Sequence, residues 1–182
     1  LNSVLSDPAL LIPHVLEIPT QHSRTAVGIV PYYSSDQSAW QAVCGSLGYE
    51  YISPHLSPVD FLARLSTCKA VFAEAMHGAI LADALSIPWR PLQSYNSHAE
   101  GPTHAFKWMD FCSSVGVDFD PIRLPPLPPN TSVSWSLKKR AFSEIIRRRL
   151  NMGLNAGGFR MSNPAVRAEL VAEMLERIRG YV

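Results

Sequence analysis

Cysteine, charge and long apolar runs are all scarce in this chain. Three of its 182 residues are cysteine (Cys44, Cys68 and Cys112), and no two of them form a CxxC pair. An odd number of widely spaced thiols excludes a disulfide framework and fits buried thiols in a reducing compartment. Asp, Glu, Lys and Arg together make up 17% of the residues, against about 25% in an average soluble domain. So little charge implies a surface partly covered by something else, such as a second domain or a subunit. No uncharged apolar run approaches the ~20 residues of a membrane span. No basic stretch followed by an apolar core opens the chain, as a signal peptide would. Together these absences lead us to expect a cytoplasmic protein. Neither a GxGxxG nor a P-loop sequence occurs, so nicotinamide and nucleoside-triphosphate readings lack their usual cradle. Ser94 and Ser97 sit in no nucleophile elbow.

The charge that is present is unevenly placed. The net value is +1, which excludes capture of nucleic acid by the chain as a whole. Residues 138–182 carry ten Lys or Arg against four Glu, a local +6, while residues 1–137 carry six basic against eleven acidic residues, a local −5. Such a tail is either a solvated helix face or a surface for an anionic neighbour, with at most peripheral contact to a membrane. Arg147, Arg148 and Arg149 are consecutive on a helix and so point to different sides.

Hydrophobic residues make up 47%, enough for a core in a chain of one-domain length. Residues 1–20 are punctuated by proline and read as an extended linker with one short buried piece. Ala26–Val30 is apolar on both faces, as a central parallel strand is. Asp36 or Ser38 is placed to cap a helix that carries Trp40, Val43, Cys44 and Leu47 and stops at Gly48. Residues 49–53 form a second strand. Pro58 opens a helix through Thr67, residues 69–73 form a third strand, residues 77–85 a helix of small residues, and residues 90–92 a fourth strand. This alternation predicts an α/β fold with a parallel sheet and crossover helices over residues 21–120. A helix around Phe106–Cys112 follows. Five prolines within residues 121–129 predict a stiff strap over 121–134. Residues 135–182 close the chain as two helices, 135–150 and 164–179, the second with an apolar stripe of Val166, Leu170, Met174 and Ile178.

Ligands of parallel sheets bind beyond the carboxyl ends of the strands. Three loops are placed there: Pro31-Tyr32-Tyr33-Ser34-Ser35-Asp36, Ala73-Glu74-Ala75-Met76-His77-Gly78, and the stretch starting at Gln93-Ser94-Tyr95-Asn96. The second is the most informative. His77 opens a helix, and helix N-termini attract phosphate and carboxylate groups. A histidine there is poised to give or take a proton, or it serves only to cap the helix. Gly78 allows the helix backbone to approach a ligand closely. His98, Glu100 and His104 are metal-ligand types, but their spacing fits no closed zinc site, and we expect no metal.

The run Glu74-Ala75-Met76-His77-Gly78-Ala79-Ile80-Leu81-Ala82-Asp83-Ala84-Leu85-Ser86-Ile87-Pro88-Trp89 resembles a segment of the polysaccharide pyruvyl transferase family, in its bacterial exopolysaccharide branch. Val27-Gly28-Ile29-Val30-Pro31-Tyr32-Tyr33 and Ser6-Asp7-Pro8-Ala9-Leu10-Leu11 are similar to two further segments of that family, in order, over roughly residues 6–115. The resemblance implies a two-domain, GT-B-like fold of which this chain is the C-terminal, Rossmann-like half. It implies transfer of a pyruvyl group from phosphoenolpyruvate to two hydroxyls of a sugar, on an exopolysaccharide or its lipid-linked precursor, at the inner face of the membrane. No cofactor is implied beyond phosphoenolpyruvate as the donor. The partners would be a saccharide acceptor and a missing N-terminal half or a second copy of the chain.

The resemblance gives His77 the acid–base role. Many family members have Arg-Leu-His where this chain has Ala75-Met76-His77, so another basic residue must hold the donor. Lys107 is the first choice, with Arg90 and Arg24 next. Many also have a His where Tyr32 stands. Glu74 is expected to orient His77 or bind sugar hydroxyls, with Gly78, Tyr32, Ser94 and Asn96 completing the substrate site. Two other readings remain: a GT-B glycosyltransferase that uses a sugar nucleotide, and an inactive half that binds a glycan or a partner.

Overall fold

β1 (Ala26–Val30) is an inner strand of a parallel sheet, where side chains leave on both faces into apolar surroundings. The computed structural model describes residues 6–18, 23–35, 37–94, 102–125, 135–155 and 158–180. Four more strands are present: β2 (Glu50–Tyr51), β3 (Cys68–Ala73), β4 (Trp89–Gln93) and β5 (Ile122–Arg123). They line up in the order β2-β1-β3-β4-β5, and every neighbouring pair is parallel. The chain moves one way from β1 to β2 and the other way from β3 onward. The order therefore reverses between β1 and β3, the switch point at which doubly wound sheets open a crevice. This is an α/β, Rossmann-like arrangement.

Helices cover both faces. α2 (Gln37–Leu47) and α6 (Trp135–Asn155) pack Trp40, Val43, Cys44, Ile146 and Leu150 against Val27, Ile29, Phe72, Leu92 and Ile122. α3 (Pro58–Ser66), α4 (Met76–Ala84), α5 (Pro102–Ser114) and α7 (Pro164–Arg179) cover the opposite face, over Val30, Val71, Ala73 and Trp89. Local chemistry sets several helix starts. The Ser57 hydroxyl accepts from Asp60 N at 3.2 Å with Pro58 in the first turn, and Asn163 accepts from Ala165 N at 2.9 Å with Pro164 in the first turn. Asp36 lies outside the described residues, as does most of the strap (126–134).

Three segments differ from the sequence reading. The proline-rich connector begins with a strand: Ile122 and Arg123 pair with Leu92 and Gln93, and Leu124 N donates to Gln93 O at 2.9 Å. Proline is tolerated here because β5 is an edge strand and Pro121 precedes its ladder. Residues 8–15 of the N-terminal segment are not extended. Asp7 caps a 3₁₀ turn (Pro8–Leu11) that runs into α1 (Ile12–Val15), and Leu10 and Leu11 are buried among residues of α4, α5 and α7. On α7 the inward stripe is centred on Val171 and Met174, and Ile178 is exposed.

The C-terminal helix is fastened by a buried acid. Asp83, at the end of α4, accepts from Trp89 Nε1 (2.9 Å), Ser162 N (2.8 Å) and Ser162 Oγ (2.5 Å). Arg167 of α7 donates to the Asp83 carbonyl at 2.6 Å and to Ser86 Oγ at 2.7 Å. Beside this cluster Trp89 and Arg160 exchange two backbone hydrogen bonds of 2.8 Å, so residue 160 extends the sheet where β5 has not yet begun.

Candidate functional site

The carboxyl ends of β1 and β3 meet where Glu74 N and Ala75 N both donate to Val30 O, at 2.8 and 3.3 Å. Directly beyond them the Glu74 carboxylate is wholly buried. Its Oε2 accepts from Tyr32 N (2.8 Å), Ser35 Oγ (2.8 Å) and Trp40 Nε1 (3.2 Å), and its Oε1 accepts from Ser94 Oγ. One side chain thus ties the loop after β1, the helix that follows it and the end of β4 to the end of β3. Burial pushes the Glu74 carboxyl above the usual carboxylate range, opposed by its hydrogen bonds from Ser94, Ser35 and Trp40 and by the nearby His104. Gln37, the first residue of α2, braces the same loop: its amide nitrogen donates to Tyr32 O (3.0 Å) and Ser35 O (2.8 Å).

This placement corrects two expectations for Glu74. It neither orients His77 nor presents itself to sugar hydroxyls, because its oxygens are occupied inside the protein. Ser94 is likewise buried and turned to Glu74. Tyr32 is held at the loop by its backbone N–H, and its ring contacts Tyr33 at a centroid distance of 4.7 Å.

His77 stands on the other side of the strand end. It lies in the first turn of α4, where Ala75 at the cap position contributes no capping side chain, so the ring does not close the helix start. The side chain is 69% exposed, with Nε2 3.6 Å from Asp7 Oδ2. Asp7 simultaneously accepts from Ala9 N at 2.8 Å, which fixes its carboxylate. His77 borders a cleft of about 280 Å³ between α3, α4 and the ends of β1 and β2. Val30, Leu56, Phe61, Leu62 and Leu81 make most of its wall, and His77 is its one ionisable residue among the described residues. Gly78 borders the same cleft and has a packing role as well. A Cβ there would lie 2.8 Å from Val30 Cγ1 and 2.9 Å from Val30 Cβ, so its missing side chain lets α4 seat on β1.

Two of the three basic candidates are committed elsewhere. Arg24 donates to Leu85 O (2.9 Å) and Ser86 O (3.0 Å) at the carboxyl end of α4, the opposite end from His77, where a cation meets the negative pole of the helix. Arg90 lies on the face covered by α2 and α6, where it donates to Asp120 (3.1 Å) and Gly153 O (3.3 Å). Lys107 is exposed on α5. Asn96, His98 and Glu100 lie outside the described residues, while His104 is buried and its Nε2 accepts from Trp108 Nε1 at 3.2 Å. Among the described residues no group of three His, Cys, Asp or Glu is placed to hold a metal ion. Nor is any helix long and apolar enough to cross a membrane.

Sequence reasoning missed Ser35, Gln37 and Asp7. Ser35 and Gln37 carry no pattern that separates them from ordinary loop residues, and Asp7 sits in what reads as a linker. Its Asp-Pro start, the usual signature of a capped turn, was the available signal.

The site lies within a chain that has a curated relative. Over 120 residues, 65% of this chain, the sequence is 32% identical to the succinoglycan biosynthesis protein ExoV of Rhizobium meliloti (strain 1021). The match covers 36% of that relative, so the chain corresponds to roughly a third of its length. No protein-family model matches the sequence, and no solved structure matches it.

Proposed function

We propose that this chain is the C-terminal, GT-B-like half of an enzyme that transfers a pyruvyl group from phosphoenolpyruvate to two hydroxyls of an exopolysaccharide sugar. One observation carries the reading: the histidine of the Ala75-Met76-His77-Gly78 run stands exposed, faced by Asp7, at the mouth of a cleft beside the β1/β3 switch point. Similarity to a succinoglycan biosynthesis protein supports the biological setting. In the reaction one sugar hydroxyl adds to the vinyl carbon that bears the phosphate ester, the terminal methylene gains a proton to become a methyl group, and a second hydroxyl displaces phosphate. His77 is the acid–base residue of these proton transfers. The apolar cleft wall suits the vinyl group, and water is excluded once the second half covers it. It supplies no cation for the phosphate and carboxylate. That charge comes from Lys107 or from the N-terminal half, which faces this one across the cleft and also helps to hold the saccharide acceptor.

Two measurements on the purified chain test this. Phosphoenolpyruvate should raise the melting temperature more in the parent than in His77→Ala, and UDP should show no such difference; a His77-dependent rise with UDP alone assigns the site to a sugar-nucleotide glycosyltransferase. Phosphate release from phosphoenolpyruvate with a glycan acceptor should be absent for the chain alone and should appear when the N-terminal half is added in trans. An open half exposes the reacting groups to water, which weakens every charge interaction there. Turnover by the isolated chain overturns the two-half reading.

A further inference from the structure

A second cavity, of about 370 Å³, lies at the far edge of the sheet, between β4, β5 and α6. Arg90, Arg123 and Arg149 line it, together with Ile122, Met152 and Gly153. Residues 1–137 contain six basic residues in all, and two of them converge here. Three guanidinium groups around one cavity repel one another, and the local acids do not balance them. Asp120 offsets Arg90 at 3.1 Å, whereas Arg123 and Arg149 pair with no carboxylate among the described residues. The neighbouring arginines behave otherwise: Arg147 and Arg148 are both taken by Glu144, at 2.7 and 2.9 Å. Of the three consecutive arginines only Arg149 turns to the cavity, where its Nη1 donates to the Arg123 carbonyl.

Arg90 is held in place before any ligand arrives. Its side chain is 13% exposed, and Nη1 and Nη2 are bonded to Gly153 O and Asp120. Gly158 lies so close that a Cβ there would come within 2.0 Å of Nη1, which leaves the guanidinium no room to swing. Its Nε is buried and makes no hydrogen bond. A fork fixed in advance loses little entropy on binding.

We infer that this cavity binds a phosphate group, on the opposite face of the sheet from His77 and independently of the pyruvyl-transfer reading. Forks arriving from three elements match the several oxygens of a tetrahedral phosphate, where a planar carboxylate is satisfied by one. The cavity is open enough for what the phosphate is attached to. Met152 on its rim is 70% exposed and suits an apolar substituent. The phosphate is carried either by a soluble phosphate or diphosphate or by the headgroup of an anionic phospholipid.

The test uses the purified chain and its Arg123→Gln, Arg149→Gln and Arg147→Gln variants. All three positions are exposed, and melting curves confirm that each variant folds. Calorimetric titration with inorganic phosphate and with pyrophosphate forms one arm. Co-sedimentation with phosphatidylcholine vesicles, with and without phosphatidylglycerol, forms the other. Binding in either arm should weaken about tenfold in Arg123→Gln and Arg149→Gln, the scale of one charge-assisted hydrogen bond, while Arg147→Gln binds as the parent does. Binding in the first arm alone identifies a soluble ligand, and binding confined to phosphatidylglycerol vesicles identifies the lipid. No binding in either arm, or equal weakening in Arg147→Gln, overturns the inference.

Discussion

At the scale of single residues, Glu74 and His77 divide the work that the sequence assigns to one segment. Glu74 is structural. Removing its carboxylate in Glu74→Ala takes the acceptor from the buried Ser35 Oγ and Trp40 Nε1 and one partner from Tyr32 N and Ser94 Oγ, and at ~1–3 kcal/mol for a stranded donor we expect a loss of at least ~2 kcal/mol in denaturant unfolding. Glu74→Gln should cost much less, because one amide oxygen can replace Oε2 and Ser94 can turn its hydroxyl to accept. The two forms should also differ with pH. The Glu74 carboxyl is raised by burial from its ordinary value of 4.5. Its stabilising contribution is therefore complete below that value and is lost as pH rises through the raised one. Melting temperature should fall from mildly acid to alkaline pH more steeply in the parent than in Glu74→Gln. Parallel curves would show that the carboxyl is not raised. His77, by contrast, is exposed and its pair with Asp7 is long, so His77→Ala should cost no more than about 1 kcal/mol of stability. Under the function proposed above, it should lower pyruvyl transfer by ~10²–10⁴-fold once both halves are present. A collapse of the melting temperature with activity retained would mark it as a packing residue.

At the scale of elements, the seat of α4 on β1 rests on a missing methyl group. Gly78→Ala places a Cβ 2.8 Å from Val30, and overpacking of this kind costs roughly 1–3 kcal/mol. Adding Val30→Ala should recover part of that loss, and a double mutant whose losses simply add would show that the contact is not the cause. Elements with strong periodicity or clear caps were legible from sequence. β1, α3, β3 and α7 lie within a residue of where apolar runs and Pro-led starts place them. β5 was not legible, because two residues between prolines carry no period and only the edge of β4 makes them a strand. The N-terminal turn was hidden for a similar reason: Leu10 and Leu11 gain their burial from α4 and α7, which are distant in sequence. The site was partly legible. His77 beyond a strand end follows from local pattern, whereas the burial of Glu74 and the diversion of Arg24 and Arg90 depend on partners up to 62 and 63 positions away.

At the scale of the whole molecule, the three thiols report on global unfolding. Burial pushes Cys44 and Cys112 to about 12 and Cys68 to about 11, so thiolate is absent at neutral pH. Labelling by a disulfide reagent should be very slow in the native state, and its rate should track opening of the fold as denaturant is added. Rapid native labelling of any of the three would show that its layer opens locally. The Asp83 cluster has a further consequence, for synthesis. Ser162 meets Asp83 across 79 positions, and Arg160 completes the row beside Trp89. A nascent chain can lay down β1 to β5 well before those residues leave the ribosome. Until they do, the Asp83 carboxylate and the Trp89 backbone lack their partners from residues 160–162. Ribosome-bound chains arrested before Ser162 emerges should be cut readily by protease around α4, and chains arrested after α7 has emerged should resist.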